Sequence, residues 1–143
     1  MKKLSVTLGL ALVSLVAHAN GVERVLPVGC MVNPNGINNG SFIVSSQYPE
    51  SDSGYSYNHN FDATNNQGKK VTMAAWGQFS GPSSSPTQFI LGISHWDGSS
   101  PTVDQVSNKV VDLRQSGGLV KVSLSATTVD GIQVNLLCQS IKK

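Results

Sequence analysis

The sequence predicts an all-β fold: a single antiparallel β-sandwich, or a small barrel, of about seven to eight strands with one disulfide, after a cleaved signal peptide. Three observations predict it. Apolar and polar residues alternate with a period of two in short segments. Clusters of Gly, Asn, Asp, Ser and Pro separate these segments at intervals of roughly 8–12 residues. After the N-terminal apolar run, no stretch has the 3.6-residue period of an amphipathic helix.

The N-terminus has the three parts of a secretory signal peptide. Residues 1–3 are Met-Lys-Lys, residues 4–16 form an apolar run, and residues 17–19 (Ala-His-Ala) fit the small-x-small cleavage pattern. We therefore expect residues 1–19 to be removed and residues 20–143 to form one secreted all-β domain. The two lysines and the short apolar run are typical of a Gram-negative bacterium, which predicts the periplasm or the medium as the location.

The charge balance excludes two classes of protein. The 143 residues include ten Lys and Arg against eight Asp and Glu, a net charge of +2. Removal of residues 1–19 takes away two lysines and leaves eight charges of each sign. A neutral chain lacks the basic surface that nucleic acids attract. No other apolar run approaches the roughly 20 residues that cross a bilayer, so an integral membrane protein is also excluded.

Two cysteines remain in the secreted domain, Cys30 and Cys138. An exported chain meets an oxidising compartment, so a single pair predicts one disulfide. A redox-active pair would have a close Cys-x-x-Cys spacing, which the sequence lacks. We expect the cystine to lie at an edge of the core and to join the first strand to the last.

The alternation predicts eight strands in order along the chain. They cover residues 22–32, 41–46, 54–63, 70–79, 87–96, 106–113, 119–126 and 132–141. Pro27 in the first segment predicts an edge or bulged strand, because proline has no N–H for the ladder. The turn residues Asn-Pro-Asn-Gly at 33–36 end that strand, and Asp130-Gly131 predicts the last hairpin.

No arrangement of residues predicts catalysis or a metal site. The sequence has no Gly-x-Ser-x-Gly elbow, no His-Glu-x-x-His motif and no EF-hand loop. Ser94 and His95 are adjacent in one strand and face opposite sides of it, so they cannot form a triad with Asp97. We expect a protein that is not an enzyme and that has no catalytic residue, metal or cofactor.

Four aromatic residues are the predicted ligand-binding set: Tyr55, Tyr57, Trp76 and Trp96. Trp76 and Trp96 are each out of phase with the apolar residues of their strands, which predicts an aromatic patch on the opposite face. Tyr55 and Tyr57 lie near the loop end of the third strand. Tyrosine and tryptophan combine a large contact area with few rotatable bonds, which suits recognition. The alternative is that these rings pack in the core or beneath a loop.

Two resemblances to known families accompany this pattern. The segment Thr-Met-Ala-Ala at residues 72–75 and the terminal hairpin with Cys138 resemble the direct haemolysins, which are pore-forming sandwiches. The cross-chain cystine in a small β domain resembles bacterial lysozyme inhibitors, although the Ser/Gly-Tyr and Tyr-Trp motif pair of that family is not reproduced. Each resemblance covers a few residues, and we assign no family on them.

We therefore expect a secreted, non-enzymatic binding module that recognises a carbohydrate or a cell-surface ligand. The first alternative is a secreted toxin or pore-forming haemolysin-like sandwich, whose aromatic residues would meet membrane lipid. The second is an inhibitor or partner of another exported protein, which would use the loops at 33–40, 80–86 and 99–102. The sequence does not determine the oligomeric state.

Overall fold

The computed structural model describes residues 25–45, 56–82, 85–96 and 104–142. The signal peptide predicted for residues 1–19 lies outside these ranges. The described residues contain eight strands and no helix. The strands are β1 Val28–Pro34, β2 Gly40–Val44, β3 Ser56–Thr64, β4 Lys70–Ser80, β5 Gln88–His95, β6 Asp104–Asp112, β7 Lys121–Thr127 and β8 Gln133–Ser140. The predicted all-β fold with eight strands is confirmed.

The strands form two antiparallel sheets of four strands each. The first sheet has the order β2-β1-β8-β7, and the second has the order β3-β4-β5-β6. Strands β2 and β3 are neighbours at one side of the molecule, as are β6 and β7 at the other, but neither pair shares a sheet ladder. The connectivity is therefore an up-and-down meander folded into a sandwich-like pair of sheets.

The core lies between the two sheets and follows from the period-two pattern. In β8, buried Val134, Leu136 and Cys138 alternate with exposed residues, and the buried set faces the second sheet. Phe79 and Phe89 pair in register on β4 and β5, and their rings meet edge to face with centroids 5.1 Å apart. Both sheets therefore contribute large apolar side chains to one continuous core.

The cystine joins the two central strands of the first sheet. Cys30 on β1 lies directly opposite Cys138 on β8, with Cα atoms 4.1 Å apart. The predicted disulfide is confirmed, and it suggests folding in an oxidising, extracellular or periplasmic environment. Both sulfurs are within the core, since the residues are 1% and 0% exposed. The sequence predicted the cystine at an edge of the core, whereas the structure places it inside the core.

The prediction that the first strand is an edge or bulged strand is wrong. Strand β1 lies between β2 and β8 and pairs with both without a register shift. Pro27 precedes the strand, so its missing N–H removes no rung from the ladder. Its carbonyl instead accepts the N–H of Ile141 at 2.8 Å, which extends the pairing with the last strand.

A contact between two turns closes one end of the molecule. Asn65 of the β3–β4 turn donates its side-chain N–H to the carboxylate of Asp130 in the β7–β8 turn (3.1 Å). The Thr128 hydroxyl donates to the same carboxylate, and the N–H of Asn66 donates to the Asp130 carbonyl at 2.9 Å. The hydrogen bond from Thr128, and then that from Asn65, lower the pKa of Asp130. The carboxylate form thus ties the second sheet to the first.

We expect Asp130→Asn to lower the free energy of unfolding at pH 7. We also expect the variant to lose less stability than the wild type between pH 7 and pH 3. Because the folded-state pKa is lowered, the Asp130 contribution is present above the unfolded pKa of about 3.9 and is lost as pH falls through the folded pKa. Urea unfolding at pH 7 and pH 3 measures the difference between the wild type and the variant. Since Asp62 and Asp112 titrate in both proteins, their effects cancel in this difference. If the free energy of unfolding falls equally in both proteins between pH 7 and pH 3, the stabilising role given to the Asp130 carboxylate is contradicted.

Candidate functional site

The outer face of the second sheet carries both tryptophans, and we call it the tryptophan face. On β4, the residues Met73, Ala75, Gly77 and Phe79 face the core, so Trp76 projects from the opposite side. In register, Trp76 lies between Asn58 of β3 and Gly92 of β5. The alternation therefore positions Trp76 at the centre of a four-stranded surface.

The indole of Trp76 lies against the backbone of β5. A Cβ added at Gly92 would be 2.2 Å from Cζ2 and 2.3 Å from Cε2 of the ring, so only glycine leaves room for it. The indole N–H donates to Oγ of Ser94 at 3.0 Å, and Ser94 is fully buried. These two contacts fix the orientation of the ring, which is half-buried.

Trp96 directly follows β5 and is also half-buried. Its backbone N–H donates to the carbonyl of Thr72 at 3.1 Å, which extends the β4–β5 ladder by one rung. Its position continues the alternation of Gly92 and Ser94, which places it on the tryptophan face. The rung formed by Ala74 and Ser94 separates the two tryptophans.

Polar residues of β3 border the tryptophans. The side-chain amide of Asn58 donates to the amide oxygen of Asn60 at 3.0 Å, and both residues are exposed. Further along the strand, the Asp62 carboxylate accepts the Thr72 hydroxyl at 2.8 Å and forms an ion pair with Lys70 at 2.9 Å. The face thus combines aromatic surface with amide and hydroxyl groups.

The Asp62–Lys70 pair leaves this border without a free charge. The hydrogen bond from Lys70, and then that from Thr72, lower the pKa of Asp62. The same hydrogen bond to Asp62 raises the pKa of Lys70. The two groups are largely exposed, so solvent screens their attraction and the pair mainly neutralises the local charge.

The structure describes the side chain of neither predicted tyrosine. Tyr55 lies outside the described residues. Tyr57 is in β3 and pairs in register with Gly77 of β4, and its side chain is not described. Of the four predicted aromatic residues, the two whose side chains are described, Trp76 and Trp96, lie on one face.

A second surface, on the outer side of the first sheet, was not predicted from the sequence. Four large apolar residues are exposed there: Met31, Ile43, Leu137 and Ile141. Met31 pairs with Leu137 in register, and Ile43 pairs with Gly29, against which Ile141 lies. One residue indicated this surface in the sequence. Leu137 is apolar, whereas Asn135 and Gln139 on the same exposed face of β8 are polar. We call these four residues the apolar patch.

The described residues contain no group of three or more His, Cys, Asp and Glu side chains that could hold a metal ion. In the same part of the chain, no helix has the length and apolar character that crossing a bilayer requires. No protein-family model, curated protein or solved structure matches the chain at a significant level.

Proposed function

We propose that this protein is a secreted, non-enzymatic binding module that recognises a carbohydrate or a related surface ligand through the tryptophan face. The observation that carries the proposal is the placement of Trp76 and Trp96 on one outer sheet face, beside the exposed amides of Asn58 and Asn60. Aromatic rings contact the apolar faces of sugar rings, and amides hydrogen-bond the hydroxyl groups at the sugar edge.

The fixed orientation of Trp76 supports a recognition role. Its ring is held by the backbone at Gly92 and by the hydrogen bond to Ser94. A side chain that is ordered before binding loses little rotamer freedom when a ligand arrives, which favours affinity. Because the indole N–H is already bonded to Ser94, Trp76 offers ring surface to a ligand rather than a hydrogen-bond donor.

The charge distribution favours a neutral ligand. The carboxylate at this border, Asp62, is neutralised by Lys70, and the remaining groups are amides and hydroxyls. After removal of residues 1–19 the whole chain would also be neutral. A neutral sugar chain fits such a surface better than a nucleic acid or an acidic polymer.

Secretion forms part of the proposal. The cystine suggests an oxidising compartment, and we propose export to the periplasm or medium of a bacterium by the leader at residues 1–19. N-terminal sequencing of the exported protein tests this directly: the first residue is expected to be Asn20, and an N-terminus at Met1 would contradict cleavage.

A glycan array screened with the oxidised protein tests the binding function. We expect saturable binding to a neutral glycan. In Trp96→Ala we expect binding about 5- to 150-fold weaker, because stacking on one aromatic ring contributes about 1–3 kcal/mol to affinity by analogy with stacked bases. Trp96 is the better first variant, since Trp76 also packs on β5. Leu137→Ala on the apolar patch is the matched control, as it removes an exposed apolar side chain from the other sheet.

Two results would contradict the proposal. Binding that is equal in the wild type and Trp96→Ala would exclude the tryptophan face. Absence of any glycan binding, together with dye release from phosphatidylcholine vesicles, would favour the alternative of a pore-forming toxin, whose contact with lipid the apolar patch supports.

A further inference from the structure

The apolar patch forms one contiguous surface at the middle of the first sheet. Met31 and Leu137 pair in register on the two central strands, β1 and β8. Ile141 lies over Gly29 of β1, and Ile43 of β2 lies opposite the same glycine. The four apolar residues are each 39–56% exposed. Large apolar side chains that are grouped in this way on a sheet face indicate an interaction surface, whereas scattered ones do not.

Uncharged polar residues surround the patch. In register, Ser41 of β2 and Ser123 of β7 lie on either side of its central pair, and both serines are exposed. Further along the same face, Asn33 pairs with Asn135, whose side-chain oxygen accepts the hydroxyl of Ser125 at 2.6 Å. The face therefore has an apolar centre and a rim of hydroxyl and amide groups, which is the usual anatomy of a protein–protein interface.

The first sheet also lacks charge. The structure describes every residue of its four strands, and among them Lys121, on the outer strand β7, is the only charged one. The strands of the second sheet contain five charged residues: Asp62, Lys70, Asp104, Lys109 and Asp112. Surface charges keep proteins apart in solution, and charged residues are depleted at the centres of interfaces. The charge distribution thus favours association through the first sheet.

We propose that the apolar patch is the interface at which two copies of this chain pack their first sheets face to face. An uncharged face with an apolar centre is complementary to itself, because two copies bury their apolar residues together without like-charge repulsion. A two-fold axis near the central pair places Met31 of one copy against Leu137 of the other. Lys121 is exposed on an outer strand, so its long side chain can keep the ammonium group in solvent.

The size of the face determines how tightly the two copies associate. Its four strands are five to eight residues long. With strands about 4.8 Å apart and a rise of about 3.3 Å per residue, the face covers roughly 20 Å by 20 Å. Two such faces bury on the order of 800–1,000 Å² in total, which is near the lower limit for a specific interface. We therefore expect a weak dimer that forms as the protein concentration rises.

Other occupants fit this face less well. Tryptophan and tyrosine are typical of surfaces that contact lipid headgroups, and the described strands of the first sheet present neither on their outer side. Anionic lipid favours several Lys and Arg side chains, whereas this face has one lysine. An acidic or basic protein partner would find no complementary charge on it. A second copy provides a surface of matching size, polarity and charge.

The dimer leaves both tryptophan faces free. The apolar patch is on the outer side of the first sheet and the tryptophan face is on the outer side of the second. Packing through the first sheets therefore directs the two tryptophan faces away from each other. We expect each copy to bind a glycan with the same affinity in the monomer and in the dimer. The dimer proposal thus does not rest on the proposed function and does not fail with it.

Sedimentation velocity of the oxidised protein, over about a hundredfold range of concentration, tests the proposal. We expect the weight-average mass to rise from that of the monomer towards twice that value. Leu137→Lys places a charge at the centre of the patch and is expected to weaken dimerisation at least about tenfold. Val110→Lys is the matched control, since Val110 is 51% exposed on the second sheet, and it is expected to dimerise as the wild type does.

A measurement on the wild type keeps the test decisive if Leu137→Lys fails to fold. In ¹⁵N-correlated NMR spectra at low and high concentration, the amide signals of Met31 and Leu137 are expected to shift, and those of β4 are expected to stay. A wild type that remains monomeric, equal dimerisation of the wild type and Leu137→Lys, or shifts confined to the second sheet would each overturn the proposal. Binding of a monomeric wild type to phosphatidylcholine vesicles would overturn it in favour of a lipid surface.

Discussion

Replacing both cysteines by alanine, Cys30→Ala with Cys138→Ala, is expected to lower the free energy of unfolding by about 4–5 kcal/mol. The two residues are 108 positions apart, so the cystine closes nearly the whole described chain into a loop and restricts the unfolded state. The loss of two buried sulfurs from the core adds to this effect. A decrease of this size is a large part of the 5–15 kcal/mol that stabilises an ordinary domain.

Urea unfolding of the oxidised wild type and of the double variant measures this difference. The wild type unfolded in the presence of a reducing agent is the matched control, since it loses the same covalent link without a change in sequence. Both forms are expected to unfold at clearly lower urea concentrations than the oxidised protein. A double variant within about 1 kcal/mol of the wild type would contradict the structural role given to the cystine.

Gly92→Ala is expected to destabilise the protein by about 1–3 kcal/mol and to displace the ring of Trp76. The added Cβ would be 2.2 Å from ring carbon Cζ2, and the opposing atoms belong to a large rigid group that is itself bonded to Ser94. In an ordinary strand the same change would be neutral or slightly stabilising, because alanine restricts the unfolded chain more than glycine. The sign of the effect therefore reports on the packing of the indole.

Gly29→Ala is the matched control for this prediction. Gly29 is also a strand glycine on an outer sheet face, but the nearest atom to its added Cβ is the flexible end of Ile141, at 3.1 Å. We expect a change within about 0.5 kcal/mol for Gly29→Ala. Thermal unfolding and tryptophan fluorescence of both variants provide the comparison. Equal stability and unchanged emission in Gly92→Ala would show that the indole does not lie on this glycine.

The strands could be predicted from the sequence because each one has its own alternation of apolar and polar residues. In β8, the alternation of Val134, Leu136 and Cys138 with polar residues defines both the strand and its buried face. The turn after β1 is equally local: Asn35 and Gly36 have φ of 48° and 77°, conformations that Asn and Gly accept more readily than other residues.

Pairing between strands distant along the chain could not be predicted from such local signals. The position of Pro27 indicated an edge strand, yet β1 is central because β8 pairs with its other side. This arrangement depends on packing contributed by residues about 100 positions away, and the cysteine pair was the one long-range signal. The strand order of each sheet is thus a product of tertiary packing rather than of propensity.

For the candidate site, the face on which Trp76 lies could be predicted, but the residues that hold its ring could not. Alternation along β4 correctly separates Trp76 from the core residues Met73 and Ala75. The partners that hold the ring, Gly92 and Ser94, follow from the register between β4 and β5, which the sequence does not encode locally.

The most direct test of the central claim is a titration of the two indole N–H signals in a ¹⁵N-correlated NMR spectrum. The chain has two tryptophans, so each signal reports on one side of the tryptophan face. With a glycan from the array as the titrant, we predict that the Trp96 signal moves saturably. The Trp76 signal is predicted to move less, because its N–H is bonded to Ser94. Two stationary indole signals, with shifts confined to backbone amides of the first sheet, would contradict the account.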